Sequence, residues 1–247
     1  MLNRKVALVT GASAGIGRAI AVDLAKQGYV VVGCARRAHR LEQLGMELEE
    51  LGLSFVPKIC DLRSESSILK MFQEIEAELG GIDVLINNAG LGHRAPLLSG
   101  EAEHWREMLE VNVLALCICT REGIAQMRKK GDDGYVIHIS SMAGHRVPTG
   151  SGVYSATKFA VRSLTEGLRM ELRELKSGIR ISAVSPGFVE TEFAEHYSKS
   201  AEQAKITYGR YKVLEAQDIA KQVSFLLSTP AHVQIHDLLV RPTAQDG

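Results

Sequence analysis

Residues 6–17 read VALVTGASAGIG, a short apolar run that ends in three spaced glycines. The first five residues have the length and valine content of a buried strand, and a helix-like pattern follows, with Ile20 and Leu24 on one side. Glycines at such a turn let the backbone approach a phosphate, which the N–H groups at the helix start then bind. The spacing is G-x-x-x-G-x-G rather than G-x-G-x-x-G, so a plain glycine-rich turn is the alternative.

Strand-like and helix-like segments alternate beyond this turn. The predicted strands are Val6–Thr10, Val30–Ala35, Phe55–Cys60 and Asp83–Ile86, and the helices between the later strands are His39–Leu51 and Glu65–Leu79. Short apolar strands separated by helices are typical of a parallel sheet covered on both faces. Right-handed crossovers then give an α/β, doubly wound (Rossmann-like) parallel sheet, which we expect to have about seven strands.

No proline-rich or low-complexity linker interrupts this pattern. We therefore predict a single domain over residues 1–247, with 1–90 mainly the dinucleotide-binding half and 91–247 the catalytic half.

The bulk composition excludes several classes of partner. The 247 residues are 45% hydrophobic and 23% charged, with a formal net charge of zero, which gives no indication of nucleic acid or an anionic membrane. The apolar runs are strand-sized, too short for a membrane span. The four cysteines lack the spacing of zinc ligands or of a redox motif. We therefore expect a cytoplasmic protein with reduced cysteines and no metal.

Two arginines, Arg36 and Arg37, follow the second predicted strand. An acidic residue near this point would bind the ribose 2′-hydroxyl of NAD, whereas arginine suits the 2′-phosphate of NADP through charge-assisted hydrogen bonds. The sequence therefore predicts NADP(H) rather than NAD(H) as the cofactor. The alternative is that both side chains simply face water at the start of the next helix.

Tyr154 and Lys158 are four residues apart, which places them one turn from each other on the same face of a helix. Tyrosine titrates near pH ~10, and a neighbouring ammonium group favours the phenolate and lowers that pKa. The pair is therefore a candidate for general acid–base catalysis. Because such pairs are also common on solvated helix faces, its interpretation depends on the surrounding motifs.

Three motifs in series resemble the short-chain dehydrogenases/reductases, and the resemblance runs over essentially the whole chain. They are Thr10-Gly11-xxx-Gly15-x-Gly17, Asn87-Asn88-Ala89-Gly90 and Tyr154-xxx-Lys158. The segments Gly33–Arg36, Ser228–His232 and His236–Thr243 resemble an NADP-dependent subgroup that contains insect farnesol dehydrogenases and a vertebrate carbonyl and ketosteroid reductase. The last of these segments departs from the Asp-Gly-Gly-like tail of many family members.

The resemblance implies three sets of site residues. The cofactor-binding set is Thr10, Gly11, Ser13, Gly15, Ile16, Gly17, Arg36, Arg37, Asp61, Leu62, Asn88, Ala89, Gly90, Tyr154, Lys158, Pro186, Gly187, Val189 and Thr191. The catalytic set is Asn112, Ser141, Tyr154 and Lys158. The substrate-facing set is Ser141, Ala143, Tyr154, Phe188 and Phe193.

In the implied chemistry, Tyr154 is the acid in reduction and the base in oxidation. Lys158 lowers the pKa of Tyr154 and contacts the nicotinamide ribose, and Ser141 binds the substrate oxygen. Asn112 lies within a helix and fixes a water that connects Lys158 to solvent. The alternatives are a simple turn cap at Ser141 and a satisfied buried amide at Asn112.

These roles predict an NADP(H)-dependent oxidoreductase that acts on an apolar alcohol or carbonyl. The substrate candidates are a prenyl alcohol such as farnesol, a keto-steroid or a small carbonyl, and either reaction direction stays open. A non-catalytic NADP(H)-sensing protein on the same fold is the alternative function.

The segment from about residue 188 to 214 corresponds to the substrate lid of this family. Its aromatic residues are Phe188, Phe193, Tyr197, Tyr208 and Tyr211. They suit a bulky apolar substrate, because lids of this kind exclude water from the site. The alternative is that these rings pack in the core or between subunits.

Two further expectations concern the edges of the site. His93, His145 and His196 are predicted to lie on loops that border the pocket. By the resemblance, the long helices predicted at Trp105–Arg128 and Val153–Lys176 form a subunit interface, which implies a homodimer or homotetramer.

Overall fold

A computed structural model describes residues 4–245 of the chain. The strands are β1 Val6–Thr10, β2 Val30–Ala35, β3 Phe55–Ile59, β4 Val84–Asn87, β5 Tyr135–Ile139, β6 Arg180–Pro186, β7 Val189–Glu190, β8 Leu214–Glu215 and β9 Asp237–Val240. The α-helices are α1 Gly15–Lys26, α2 Ala38–Glu50, α3 Glu65–Leu79, α4 Ala102–Leu109, α5 Ala115–Lys129, α6 Gly152–Glu174, α7 Phe193–Ser198, α8 Ala201–Tyr208 and α9 Ala216–Ser228.

Seven strands form a parallel sheet in the order β3-β2-β1-β4-β5-β6-β9. In the register of β1, Val6 lies opposite Val30 of β2 and Ala7 lies opposite Val84 of β4. The chain order therefore reverses between β1 and β4, and ligands of such sheets bind outside the carboxyl ends of the strands at this point. The predicted doubly wound parallel sheet is confirmed.

Helices cover both faces of the sheet because the strands are apolar on both sides. Ala7 and Val9 of β1 point to the layer that contains α1, α2 and α9, whereas Val6 and Leu8 point to the layer that contains α3, α5 and α6. Leu8 is fully buried, and burying such a side chain stabilises the fold by roughly 1.5–3 kcal/mol. None of the helices within residues 4–245 combines the length and apolar character needed to cross a membrane.

The helix predicted at Trp105–Arg128 is interrupted in the structure. A five-residue π-helical segment, Glu110–Leu114, connects α4 to α5. Such segments widen one turn of a helix and occur frequently at functional sites. Here the segment contains Asn112.

The predicted lid is an excursion of two short helices between β7 and β8. These strands pair in parallel, with Val189 opposite Leu214 and Glu190 opposite Glu215. The chain therefore leaves the body of the protein and returns to it side by side, with α7 and α8 between the two strands.

Candidate active site

A cleft of about 1160 Å³ lies at the carboxyl ends of the central strands and extends from the glycine-rich loop to the lid. All of the predicted site residues line it except Thr10 and Asn112, which lie behind its wall. The wall also includes Glu192 and Tyr197 of the lid, which the sequence predictions did not assign to the cofactor or the catalytic set.

The glycine-rich loop has the backbone that its sequence predicts. Gly11 (φ 70°) and Gly15 (φ 53°) adopt left-handed conformations that favour glycine. A Cβ at Gly17 would lie 2.4 Å from the Asn88 side chain and from the Gly11 carbonyl oxygen, so a larger residue does not fit. Ala14 precedes α1 and has no polar side chain to cap it. The first N–H groups of α1 therefore point into the cleft as an anion-binding site.

Thr10 and Asn88 join the ends of β1 and β4. The Thr10 hydroxyl accepts hydrogen bonds from the backbone N–H groups of Asn88 (3.0 Å) and Ala89 (2.9 Å). The Asn88 amide donates in return to the Thr10 carbonyl oxygen at 2.8 Å. These bonds keep the two strand ends in register, which places Thr10 beneath the predicted cofactor surface as a support.

The two predicted phosphate-binding arginines have different surroundings. Arg37 donates to the Ser13 hydroxyl at 3.0 and 3.3 Å and pairs with Glu192 at 3.0 Å. Arg36 is exposed on the wall of the cleft, where its charge contributes to a lowered pKa of Asp61. The main cause of that lowering is the hydrogen bond from Arg63 to Asp61. Two guanidinium groups beside a glycine loop fit a dinucleotide with an additional phosphate.

Ser141 and Tyr154 come together across the gap between β5 and α6. The Ser141 hydroxyl interacts with the Tyr154 phenol, and the Ser141 oxygen also accepts a hydrogen bond from the Ala143 N–H at 3.1 Å. Burial raises the pKa of Tyr154 to about 12, and the interaction with Ser141 only partly opposes this shift. The phenol is therefore protonated throughout the neutral range, as a proton donor must be.

Lys158 lies one turn further along α6. Its Nζ is 6.0 Å from the centroid of the Tyr154 ring and donates to the Ile139 carbonyl oxygen at 2.9 Å. Burial lowers the pKa of Lys158 to about 8. The sequence predicts that Lys158 lowers the pKa of Tyr154, but the net shift of Tyr154 is upward because desolvation outweighs the other contributions.

Asn112 is a buried amide whose polar atoms bind protein groups. Its Oδ1 accepts from the Leu91 N–H at 2.9 Å, and its Nδ2 donates to the Leu91 carbonyl at 2.8 Å and to the Thr157 hydroxyl at 3.0 Å. A Cβ at Gly90 would lie 3.4 Å from Asn112 Oδ1 and 3.5 Å from Lys158 Nζ. These contacts match the alternative of a satisfied buried amide, and the predicted water relay stays a prediction.

Two lid aromatics pack against the catalytic tyrosine candidate. The Tyr154 ring centroid lies 5.5 Å from that of Phe193 and 6.1 Å from that of Tyr197. Gly92 makes room for this contact, since a Cβ there would lie 2.8 Å from both lid rings. Aromatic side chains therefore form the wall of the cleft next to the Tyr154 ring.

The other predicted lid aromatics have mixed positions. Phe188, 38% exposed, lines the cleft, as does Tyr208, whose hydroxyl donates to the Thr191 carbonyl at 3.2 Å. Tyr211 does not line the cleft. The alternative reading of these rings as packing residues therefore fits Tyr211 better than the others.

Two of the three histidines predicted to border the pocket line the cleft, and the third does not. His93 and His196 line the cleft, and His93 Nε2 lies 2.9 Å from a Glu107 carboxylate oxygen. His145 lies outside the cleft, where its Nε2 is 3.0 Å from Asp237 of β9. In the part of the chain that the structure covers, no group of His, Cys, Asp and Glu residues could hold a metal ion.

The C-terminal segment, which departs from the usual family pattern, supports the cleft from behind. Ser185 at the end of β6 donates to Asp237 Oδ1 at 2.8 Å. Further along, the Gln245 side-chain oxygen accepts from the Phe188 N–H at 3.0 Å. The tail therefore fixes the turn around Gly187, which leads into the lid.

Comparison of the sequence with known families and proteins gives a consistent result. Residues 5–202 match the short chain dehydrogenase family. The chain is 51% identical to dehydrogenase/reductase SDR family member 11 of Bos taurus, covering 98% of this chain and 97% of that protein. It is 41% identical to a farnesol dehydrogenase of Aedes aegypti, with 98% and 97% covered.

Comparison with solved structures gives the same picture. The closed form of a serine dehydrogenase complexed with NADP+ superposes with a TM-score of 0.92 at 33% identity, over 98% of this chain and 96% of the other. An alcohol dehydrogenase of the archaeon Thermococcus sibiricus, complexed with 5-hydroxy-NADP, superposes with a TM-score of 0.86 at 29% identity, over 99% of both chains.

Proposed function

The chain belongs to the short-chain dehydrogenase/reductase family, and we propose that it is an NADP(H)-dependent oxidoreductase that interconverts an apolar alcohol and its carbonyl compound. One observation carries this proposal. Tyr154, half-buried and protonated at neutral pH, lies with Ser141 and Lys158 on the wall of one cleft that also contains the glycine-rich loop.

The residues of the cleft fit NADP(H). The N-terminus of α1 would hold the pyrophosphate, and Arg36 with Arg37 would hold the 2′-phosphate. When bound, the nicotinamide supplies or accepts the hydride at the substrate carbon. The NADP-type ligands in the two superposed relatives support this cofactor.

In reduction, Tyr154 donates its proton to the carbonyl oxygen, and Ser141 orients that oxygen by a hydrogen bond. Lys158 is charged below about pH 8 and stabilises the phenolate that remains. Asn112 holds the Leu91 backbone and Thr157 in place, which keeps the wall around Lys158 rigid. In oxidation the same groups act in the opposite direction.

The lid wall supports an apolar substrate. Phe193 and Tyr197 face Tyr154 with ring-centroid distances of 5.5 and 6.1 Å, which gives the reacting carbon an aromatic neighbourhood. A prenyl alcohol or its aldehyde and a keto-steroid are the two substrate classes we propose, and the farnesol dehydrogenase relative supports the first. No observation favours the NADP(H)-sensing alternative, because a sensor does not require the Ser141–Tyr154–Lys158 arrangement.

The test is an assay of NADPH-dependent reduction with farnesal and with a 17-ketosteroid side by side. Tyr154→Phe should lower turnover by about 10²–10⁴-fold and retain NADPH binding, because it removes only the proton donor. Tyr211→Phe removes a hydroxyl outside the cleft and should retain wild-type turnover. Near wild-type turnover of Tyr154→Phe would contradict the assignment.

We further propose a homo-oligomer, a dimer or tetramer, located in the cytoplasm. Leu109, Leu114 and Phe159 lie on the long helices with 50%, 57% and 40% of their surface exposed. Apolar surface of this kind on adjacent helices is typical of subunit contacts. Light scattering coupled to gel filtration measures the mass directly, and a monomer at micromolar concentration would contradict this part of the proposal.

A further inference from the structure

Glu192 immediately precedes α7 of the lid, and arginines from the opposite side of the cleft bind its carboxylate. Arg37 Nη1 lies 3.0 Å from one carboxylate oxygen and Arg40 Nη1 lies 2.5 Å from the other. His196 Nε2 lies 3.9 Å from the oxygen that Arg37 binds. The hydrogen bonds from Arg40 and then Arg37 lower the pKa of Glu192. The carboxylate is therefore charged at neutral pH.

These arginines belong to the region where the coenzyme phosphate is expected. Arg37 also donates two hydrogen bonds to the Ser13 hydroxyl of the glycine-rich loop. Arg37 immediately precedes α2, and Arg40, which was not assigned from the sequence, lies in the first turn of that helix. The lid is therefore tied to the end of β2 through the side chains that suit a 2′-phosphate.

The positive charge of Arg37 and Arg40 is balanced more fully by a phosphate than by the Glu192 carboxylate. Arg37 and Arg40 together carry two positive charges, against the one negative charge of the Glu192 carboxylate that they share. A phosphate monoester carries about 1.5–2 negative charges at neutral pH. Both ion pairs of Glu192 are about two-fifths exposed, and pairs of that kind are weak. Arginine–phosphate bonds are stronger, since they are charge-assisted and frequently bidentate.

We propose that Glu192 is a built-in competitor of the coenzyme 2′-phosphate. Glu192 forms ion pairs with Arg37 and Arg40, and these ion pairs break when a 2′-phosphate binds to the two arginines. The loss of the ion pairs releases the first turn of α7. Glu192 thereby sets the affinity for NADP(H), and Arg40 joins the phosphate-binding residues. The proposal rests on the proposed function, because it requires the coenzyme site at the end of β2.

The same exchange connects the coenzyme end of the cleft to the substrate end. Glu192 is followed directly by Phe193, whose ring packs 5.5 Å from that of Tyr154. A lid that is released at Glu192 frees the aromatic wall to adjust around the substrate. Binding of the 2′-phosphate therefore favours substrate entry.

The test is calorimetric titration of the full-length protein with 2′,5′-ADP and with 5′-AMP, which differ by the 2′-phosphate. Glu192→Gln should bind 2′,5′-ADP about 3- to 10-fold more tightly, the range expected for the loss of two weak ion pairs. Its affinity for 5′-AMP should not change. Glu202→Gln removes the same charge from an exposed lid position outside the cleft and should match wild type. Adding Arg40→Gln to Glu192→Gln should reverse the gain.

Hydrogen exchange of residues 193–198 gives a second readout. In the wild type, 2′,5′-ADP should increase exchange there and 5′-AMP should not. In Glu192→Gln, exchange should be high before any ligand is added. Unchanged or weaker 2′,5′-ADP binding by Glu192→Gln would overturn the proposal, as would lid exchange that does not respond to the 2′-phosphate.

The outcome also separates this proposal from the proposed function. If the wild type binds 2′,5′-ADP more tightly than 5′-AMP but Glu192→Gln behaves like wild type, the competitor role alone is wrong. If the wild type binds neither ligand, or binds both equally, both proposals are wrong.

Discussion

The two walls of the cleft are held in place in different ways. The cradle, formed by the ends of β1, β4 and β5 with the glycine-rich loop, is fixed by backbone hydrogen bonds between strands that are buried along their whole length. The lid, α7 and α8, has no buried residue in either helix. It is attached through half-exposed ion pairs and aromatic contacts.

This difference assigns proton transfer to the cradle and substrate recognition to the lid. Proton transfer needs groups that are held in place before the substrate arrives, and Ser141, Tyr154 and Lys158 all lie on the cradle or on α6 behind it. Recognition of an apolar substrate needs a surface that can open, and weakly packed segments open at low free-energy cost. Substitutions in the cradle should therefore change turnover or coenzyme binding, and those of the lid aromatics should change substrate affinity.

The largest effect after Tyr154→Phe is expected for Ser141→Ala. The change removes the hydrogen bond that orients the substrate oxygen, and a lost donor of that type costs about 10²–10³-fold in kcat. The dissociation constant for NADPH should stay the same, measured by fluorescence titration. A change in KM with unchanged kcat would show that Ser141 only caps the turn at Ala143. That result would contradict the assignment of turnover to the cradle and of substrate affinity to the lid.

Gly17→Ala tests whether the cradle tolerates a single methyl group. The added Cβ would collide with Asn88 and the Gly11 carbonyl at 2.4 Å, so the free energy of unfolding should fall by about 1–3 kcal/mol and NADPH affinity should fall as well. Gly167→Ala on α6 is the matched control, because no atom lies within 4 Å of its Cβ. Equal melting temperatures for the two variants would contradict the tight packing of the cradle.

Lys158→Met tests the burial of the ammonium group through the pH dependence of stability. The pKa of Lys158 falls from 10.5 to about 8 on folding, so the folded protein gives up the proton more easily than the unfolded chain. Below about pH 8 this costs roughly 3 kcal/mol, and wild-type stability should rise as the pH increases from about 8 to about 10.5.

Lys158→Met has no such charge, so its stability advantage over the wild type should shrink through the same pH window. Denaturant titrations of both proteins at pH 7, 9 and 10 measure the difference. If the difference in the free energy of unfolding between the two proteins does not depend on pH, then water reaches the Lys158 ammonium group in the folded protein.

The smallest effect of this group is expected for Phe193→Ala in the lid. Removing the ring next to Tyr154 should raise KM for an apolar substrate about 10-fold and change kcat less, because buried apolar area contributes to binding in ground and transition states alike. Ile206→Ala alters an exposed lid side chain outside the cleft and should leave both constants unchanged. A fall in kcat with unchanged KM would show that Phe193 contributes to the chemical step and not to substrate affinity.

Local patterns in the sequence predict most of the cradle. The strand-to-helix turn at Gly11–Gly17 and the spacing of Tyr154 and Lys158 involve residues within one or two turns of each other, where backbone geometry fixes relative positions. The helix break at Asn112 gave no such signal, because a π-helical segment depends on the surrounding packing. Arg40 was missed for a similar reason, since its partner Glu192 lies 152 residues away.

The sequence by itself therefore determined the alternation of strands and helices over residues 6–86 and the parallel sheet, which follow from hydrophobic periodicity and from a short motif whose geometry is local. The candidate catalytic residues came from the resemblance to the family. Only the tertiary structure decided the direction of the Tyr154 pKa shift, the supporting role of Thr10 and the attachment of the lid through Glu192. Desolvation and long-range ion pairs depend on which distant segments pack together, and spacing along the chain does not encode that packing.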